Sequence, residues 1–252
     1  MKTAPQLDAA AATHQGRREQ NEDAWLSDHE HRLFAVADGM GGHVGGAVAS
    51  SLALESLRGF YERGRSEPPL LEDGMFGEPS PGERRLDMAI RLTQRAIEAA
   101  AVGPLHEMGS TLVALHFGKD RALVAHVGDS RAYLLRDGQL RQLTEDHSLI
   151  ATLEAQGATK LAANLPAHYQ GMVTRSLGPV GDSLSDFSTV EVKPGDVFLA
   201  CSDGLSGSLE ADDIASLLRL PGADLASRAL VEAAYAAGSN DNITAVVVSV
   251  PR

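Results

Sequence analysis

Apolar residues recur along this chain with two different periods, and their alternation sets out the architecture before any single residue is considered. Short apolar or β-branched runs at Leu33 to Ala37, Thr111 to Phe117, Ala122 to Val127, Ala132 to Leu135, Asp196 to Ala200 and Ile243 to Val250 predict strands. Val48, Ala49, Leu52, Ala53, Leu57, Phe60 and Tyr61 fall on one helical face, as do Leu86, Ala89, Ile90, Thr93, Ile97 and Ala100. Two long amphipathic helices are therefore predicted, with further helices from Asp212 to Arg219 and Asp224 to Ala236. Gly64 to Gly82, rich in Pro, Gly and acid, reads as a mobile loop between the two long helices, and Asp137-Gly138 as the turn of a hairpin over Arg136 to Leu140. The expectation is one domain over residues 1–252, α/β or α+β, with long helices on mostly antiparallel strands and a flexible N-terminus over residues 1–12.

Composition narrows the functional classes. A chain of 252 residues that is 43% hydrophobic and 22% charged can bury one sizeable core. Its formal charge of −12 argues against a general nucleic-acid binder, whose affinity rests on clustered Lys and Arg. No apolar run reaches membrane-spanning length and nothing resembles an export signal, so a cytoplasmic protein without membrane partners is expected. The single Cys201 fits a reducing compartment, and nothing in the sequence demands more than a monomer.

Chemistry enters at the strand ends. LFAVADG, LVAHVGDS and VFLACSDG each deliver an acidic residue after an apolar run, namely Asp38, Asp129 and Asp203. NDNITAVVVSV places Asp241 just before a strand, which in an antiparallel sheet brings it to the same rim. Carboxylates gathered there repel, so they either keep protons or hold hard divalent cations. The glycine-rich stretch after Asp38 raises the competing possibility of a phosphate cradle. Its glycines do not match G-x-G-x-x-G beyond the second position, and no Lys followed by Ser or Thr completes a P-loop, so metal is the better reading. Arg18, five residues before Asp23, has a planar fork suited to phosphate oxygens. His29 and His31 read as part of a polar turn, His126 as a satisfied core histidine, Cys201 as buried, and Ser130 lacks the surroundings of a nucleophile elbow.

Together, RxxNED from Arg18, DGMGGHVGGAVAS from Asp38, GSTLVA from Gly109, VGDSRAYLLRDGQL from Val127, LTEDHSL from Leu143, VTRSLG from Val173, CSDGLSG from Cys201 and NDNITAVVV from Asn240 resemble the bacterial branch of the type 2C metal-dependent serine/threonine protein phosphatases. The likeness runs from about Thr13 to Val250 in unbroken order. It implies a four-layer α-β-β-α sandwich, two central mostly antiparallel sheets flanked by helices. It also implies a pair of Mn²⁺ or Mg²⁺ ions, and in bacterial members a weaker third. Carried over by position, Asp38 bridges the pair, Asp203 and Asp241 complete one side, and Asp23 and the Gly39 carbonyl hold the other ion with Glu22 acting through water. Asp129 together with Asp203 matches the third.

The same resemblance makes Arg18 the phosphate ligand and residues 144–174 a flap beside the cleft. Met40 stands where many eukaryotic members have His, and His43 matches the bacterial pattern as a catalytic or substrate-contacting residue. The implied reaction is hydrolysis of phosphoserine and phosphothreonine by hydroxide bridging the ions, attacking phosphorus in line, opposing a serine/threonine kinase in signal transduction. The alternatives are a phosphatase of this fold dedicated to one regulatory phosphoprotein, and a silent phosphoprotein-binding module.

Overall fold

The computed structural model of the chain describes residues 4–41, 44–64, 79–166, 169 and 171–252. Two antiparallel sheets form its centre. The first has the order β1 (Asp8–His14), β11 (Ile243–Ser249), β10 (Val197–Cys201), β7 (Arg131–Arg136), β8 (Gln139–Gln142). The second runs β2 (Asp23–Asp28), β3 (Leu33–Met40), β5 (Leu112–Phe117), β6 (Arg121–Val127), β9 (Asp186–Glu191), with the short β4 (Gly109–Ser110) also on β3. Phe34, Val36, Leu115, Phe117, Phe198 and Val246 interdigitate between the sheets. This is the expected four-layer sandwich, because each outer sheet face also carries helices.

Helices α1 (Gly45–Arg63) and α2 (Pro81–Ala100) cover the second sheet. Leu57 and Leu86 are fully buried there, and each such side chain stabilises the fold by roughly 1.5–3 kcal/mol. Two short helices follow β8, α3 (Leu149–Ala155) and α4 (Thr159–Ala162). Over the first sheet lie α5 (Asp203–Ser206), α6 (Ala211–Leu217) and α7 (Ala223–Ala236), burying Leu205, Ile214 and Leu230. No helix among the described residues is long and apolar enough to cross a membrane.

Two boundaries differ from the sequence expectation. Residues 8–12, expected to be flexible, belong to β1, which pairs with β11 from Asp8↔Ser249 to His14↔Ile243. Its alanines hide the strand, since they pack on both faces, Ala10 and Ala12 towards the helices and Ala9 and Ala11 towards the other sheet, and so show no alternation. The loop expected over Gly64 to Gly82 ends earlier than Gly82. Ser80 accepts from the Glu83 amide at 3.1 Å while Glu83 accepts from the Ser80 amide at 2.7 Å, a capping box that starts α2 at Pro81. Residues 65–78 of that loop lie outside the described residues. The hairpin turn is as expected, with Asp137 and Gly138 at φ 51° and 79° between β7 and β8.

Candidate active site

Antiparallel register brings the carboxylates together. Asp23 opens β2 and faces Asp38, near the end of β3, as a direct cross-strand pair. Asp129 follows β6, so the second sheet contributes three acids at one end. From the first sheet, Asp203 follows β10 and Asp241 precedes β11. Both sheets therefore present acidic residues at the same edge of the sandwich. A cavity of about 390 Å³ opens there, lined by Arg18, Glu22, Asp38, Gly39, Asp129, Asp203 and Asp241. Asp23 lies beneath it, its Oδ2 accepting from the Ser202 hydroxyl at 2.7 Å. His43, the remaining predicted residue, lies outside the described residues.

Close backbone approaches make this crowding possible. A Cβ on Gly46, in the first turn of α1, would sit 2.7 Å from Glu22 Cδ and 2.8 Å from the Gly39 carbonyl oxygen. On Gly204 it would meet the Asn242 carbonyl oxygen at 2.0 Å, so only glycine lets the Asp203 turn pass Asp241 and Asn242. The Asp38 end of β3 is held by Thr111, whose amide donates to the Asp38 carbonyl at 2.8 Å and whose Oγ1 accepts from the Asp38 amide at 3.0 Å.

The electrostatics are those of charge without enough counter-charge. Burial raises the Asp38 pKa well above the ordinary carboxylate range, and Asp23 and Asp203 add to the rise. Burial likewise pushes Asp23 and Asp129 up to about 7, and raises Asp203, with Asp241 contributing. The cation at the rim is Arg18, 2.6 Å from Asp241 Oδ2 and mostly exposed. Two buried carboxylate oxygens, Asp23 Oδ1 and Asp203 Oδ1, have no hydrogen-bond partner. Orphaned oxygens within an all-oxygen donor set fit hard divalent cations, which would coordinate such atoms and relieve the repulsion.

Sequence reasoning missed the groups that hold these acids in place. Asn242 accepts from the Glu22 amide at 2.8 Å and donates to the Gln15 and Gln20 carbonyls at 2.8 and 2.9 Å, pinning the loop that carries Arg18 and Glu22. Ser202 and Thr111 play similar parts for Asp23 and Asp38. All three lie inside the motifs quoted above, which is the signal that could have found them.

The residues read as structural are so placed. His126 is buried with Nε2 2.7 Å from the Glu145 carbonyl, which can only accept. Ser130 is buried and bonds Thr111 at 2.7 Å. Burial pushes the Cys201 thiol up to about 12, leaving it inert at neutral pH. His31 lies in the β2–β3 turn, bonded to Asp28 at 2.8 Å. His126, His147 and Asp186 offer ligand atoms within 4.8 Å of one another, apart from the acidic cluster. There a guanidinium already stands in the cation's place, Arg175 Nη1 lying 2.9 Å from Asp186 and 3.1 Å from His147 Nε2.

The family model described as Protein phosphatase 2C matches residues 11–237. The chain is 35% identical over 239 residues to the serine/threonine protein phosphatase PstP of Mycobacterium tuberculosis, an alignment that takes in 92% of this chain and 43% of that protein, so the chain spans less than half of its length. With the serine/threonine phosphatase stp of Listeria welshimeri it shares 32% identity over 248 residues, covering 96% of this chain and 95% of the relative. The crystal structure of the PstP catalytic domain in complex with two manganese ions superposes with a TM-score of 0.80 at 34% identity, covering 98% of this chain and 99% of the other.

Proposed function

The chain belongs to the protein phosphatase 2C family, and from that membership we propose that it hydrolyses phosphoserine and phosphothreonine monoesters on proteins, opposing a serine/threonine kinase. The observation that carries the reading is the set of buried carboxyls with orphaned oxygens beneath a cavity edged by Arg18. Asp38, Asp23, Asp203, Asp241 and the Gly39 carbonyl would hold two divalent ions, Mn²⁺ or Mg²⁺, with Glu22 acting through water and Asp129 beside Asp203 for a weaker third. When bound, such ions supply hydroxide at neutral pH and offset the charge of a phosphate dianion.

The chain's own residues do the rest. Arg18 releases Asp241, 2.6 Å away, and turns its fork to the phosphate oxygens, binding and orienting the ester. Since the Arg18 side chain is 57% exposed, breaking that pair costs little, about 1 kcal/mol or less. Asn242 keeps Arg18 and Glu22 on one pinned loop, so the phosphate ligand and the outer acid move together. Gly171 and Val173, from the 144–174 segment, line the cavity beside Met40 and would contact the peptide around the phosphoresidue. His43 is the candidate acid for the leaving alkoxide. The cytosol is the compartment this reading favours, with phosphoprotein substrates, one reduced buried thiol, and a monomer as the working unit.

The experiment is phosphate release from a phosphothreonine peptide with Mn²⁺ and with EDTA, for the wild type and for Asp38→Asn. Release that requires metal and collapses in the variant is expected. A folded, Mn²⁺-supplied wild type that releases no phosphate from several phosphopeptides would overturn the general phosphatase reading and favour a single dedicated phosphoprotein or a silent phosphoprotein-binding module.

A further inference from the structure

The turn that carries Asp129 is held on one side by its own Ser130, bonded to Thr111 at 2.7 Å, and on the Gly128 side by residue 147. The His147 amide donates to the Gly128 carbonyl at 3.0 Å, and the Gly128 amide donates back to His147 Nδ1 at 3.2 Å. An Nδ1 that accepts leaves the proton on Nε2, which points at Asp186 Oδ2 3.1 Å away. Burial lowers the imidazole pKa, keeping the neutral ring that this pattern needs. Arg175 Nη1 lies 3.1 Å from the same Nε2 but donates to the other Asp186 oxygen at 2.9 Å, so it does not compete for the ring, and the His126 ring stacks on His147 at 4.4 Å.

Both ends of the 144–174 segment meet at the same residue. Thr174 donates its amide to the His147 carbonyl at 2.8 Å, and Ser148 and Val173 form a bridge. The ring alone connects this root to Gly128 in a way that a side-chain change can alter, since the other links are main-chain.

We infer that His147 is a positioning residue, which through Gly128 fixes where the Asp129 carboxylate stands and ties the root of the 144–174 segment to it. The inference rests on the reading of Asp129 as a ligand of the weaker ion. His147 touches no reacting atom. It acts as an outer partner of a ligand, the kind of group whose loss weakens metal binding about 10- to 100-fold.

Two readouts test it on the full chain. The first is the Mn²⁺ concentration needed for half-maximal hydrolysis of p-nitrophenyl phosphate, a substrate too small to engage a peptide-binding surface. The second is amide hydrogen exchange of Gly128 by NMR, which needs neither activity nor metal. His147→Ala is expected to raise the Mn²⁺ requirement about tenfold, leave KM unchanged and speed Gly128 exchange, while core amides in β11 keep their protection. His147→Asn places Oδ1 near the Nδ1 position, so it is expected to return both readouts most of the way to wild type. Asp129→Asn separates the two ideas. If it leaves the Mn²⁺ requirement unmoved, the ligand reading of Asp129 falls and the inference falls with it. If it raises the requirement and His147→Ala does not, the ligand reading stands and the inference alone is overturned. An Asn variant as impaired as the Ala variant also overturns it.

Discussion

Asp196 leads into β10 and Asp203 follows it, so one strand of 5 residues carries a buried carboxylate at either end. At the Asp196 end both carboxylate oxygens have donors. Arg136 donates from Nε and Nη2 at 2.8 and 2.7 Å, and the Lys193 amide adds a third bond at 2.7 Å. At the Asp203 end one buried oxygen has no partner, and the strongest charge acting on the group is another acid, Asp241. The same chemical group, buried in the same sheet, is satisfied at one end and left wanting at the other. A buried polar group without a partner costs on the order of 1–3 kcal/mol, more when charged, so a proton or a cation taken up at the Asp203 end would stabilise it. Structural acids close their own bonds; ligand-binding acids do not.

The sharpest way to break this contrast is Asp38→Asn. Removing one charge from the cluster is expected to lower kcat/KM on the order of 10⁴-fold, roughly 5.5 kcal/mol, if the acids are there to hold the ions. Yet the metal-free variant is expected to melt higher than the metal-free wild type, because repulsion around Asp38 is relieved. Thermal melts in EDTA together with phosphate release give both signs. A variant that loses activity and also melts lower without metal would place Asp38 among the structural acids. Asp196→Ala should do the reverse. It strands Arg136, which can still reach water since its side chain is 25% exposed, so the loss is set at about 3 kcal/mol of stability, the low end for a broken buried pair. Activity per folded molecule, measured after correcting for the unfolded fraction, is expected to be unchanged.

Acidity offers a third comparison, with no mutation at all. Asp23 and Asp129 stand at about 7 in the folded chain against an ordinary value of 3.8. A raised folded-state carboxyl pKa means the native state binds the proton more tightly than the unfolded chain does. Its stabilisation is complete below the unfolded value and is lost as pH rises through about 7. Metal-free protein is therefore expected to lose on the order of 5 kcal/mol of stability between pH 5 and pH 8, roughly half from each group, and Mn²⁺ to restore it at pH 8, since bound cations replace the protons. Chemical denaturation at the two pH values checks this, and a flat profile in EDTA would mean the acids are not clustered as described.

How much of this was legible beforehand follows the same physics. Strands with strong apolar runs, such as β5, β6 and β11, and the helices with one apolar face were readable because burial dictates their side chains. The polar β9, half exposed at one sheet edge, and β1, built from alanines, carry no such signature, and their pairing is set by neighbours far along the chain. Asp38, Asp129, Asp203 and Asp241 stood out singly through their strand-end positions, whereas Asp23 and Glu22 were reached only through the family resemblance. That Asp23 faces Asp38 depends on the register of the β2–β3 hairpin, and the sequence shows a polar turn there without its length. The supports were hidden for a different reason. Ser, Thr and Asn beside a turn are ordinary turn residues, so nothing in their type announces that Ser202 or Asn242 holds a carboxylate or a loop.

Ser202 is where the smallest and most discriminating effect should appear. It is the neutral side-chain donor to Asp23, giving its hydroxyl to Asp23 Oδ2 at 2.7 Å while accepting from the Thr244 amide at 3.0 Å. That bond favours the charged form of Asp23, opposing burial. In Ser202→Ala the carboxyl loses it, so Asp23 should hold its proton to still higher pH and compete less well for a cation. Mn²⁺ affinity at neutral pH is expected to fall about tenfold, roughly 1.4 kcal/mol, and the deficit to shrink as pH rises and the proton leaves. The stranded Thr244 amide adds a pH-independent stability cost of about 1 kcal/mol. Isothermal titration of Mn²⁺ at pH 6.5 and 8.5 separates the two contributions. An affinity deficit equal at both pH values would mean that Ser202 supports only the backbone of β11, and that its hydroxyl does not tune the Asp23 carboxyl for a cation.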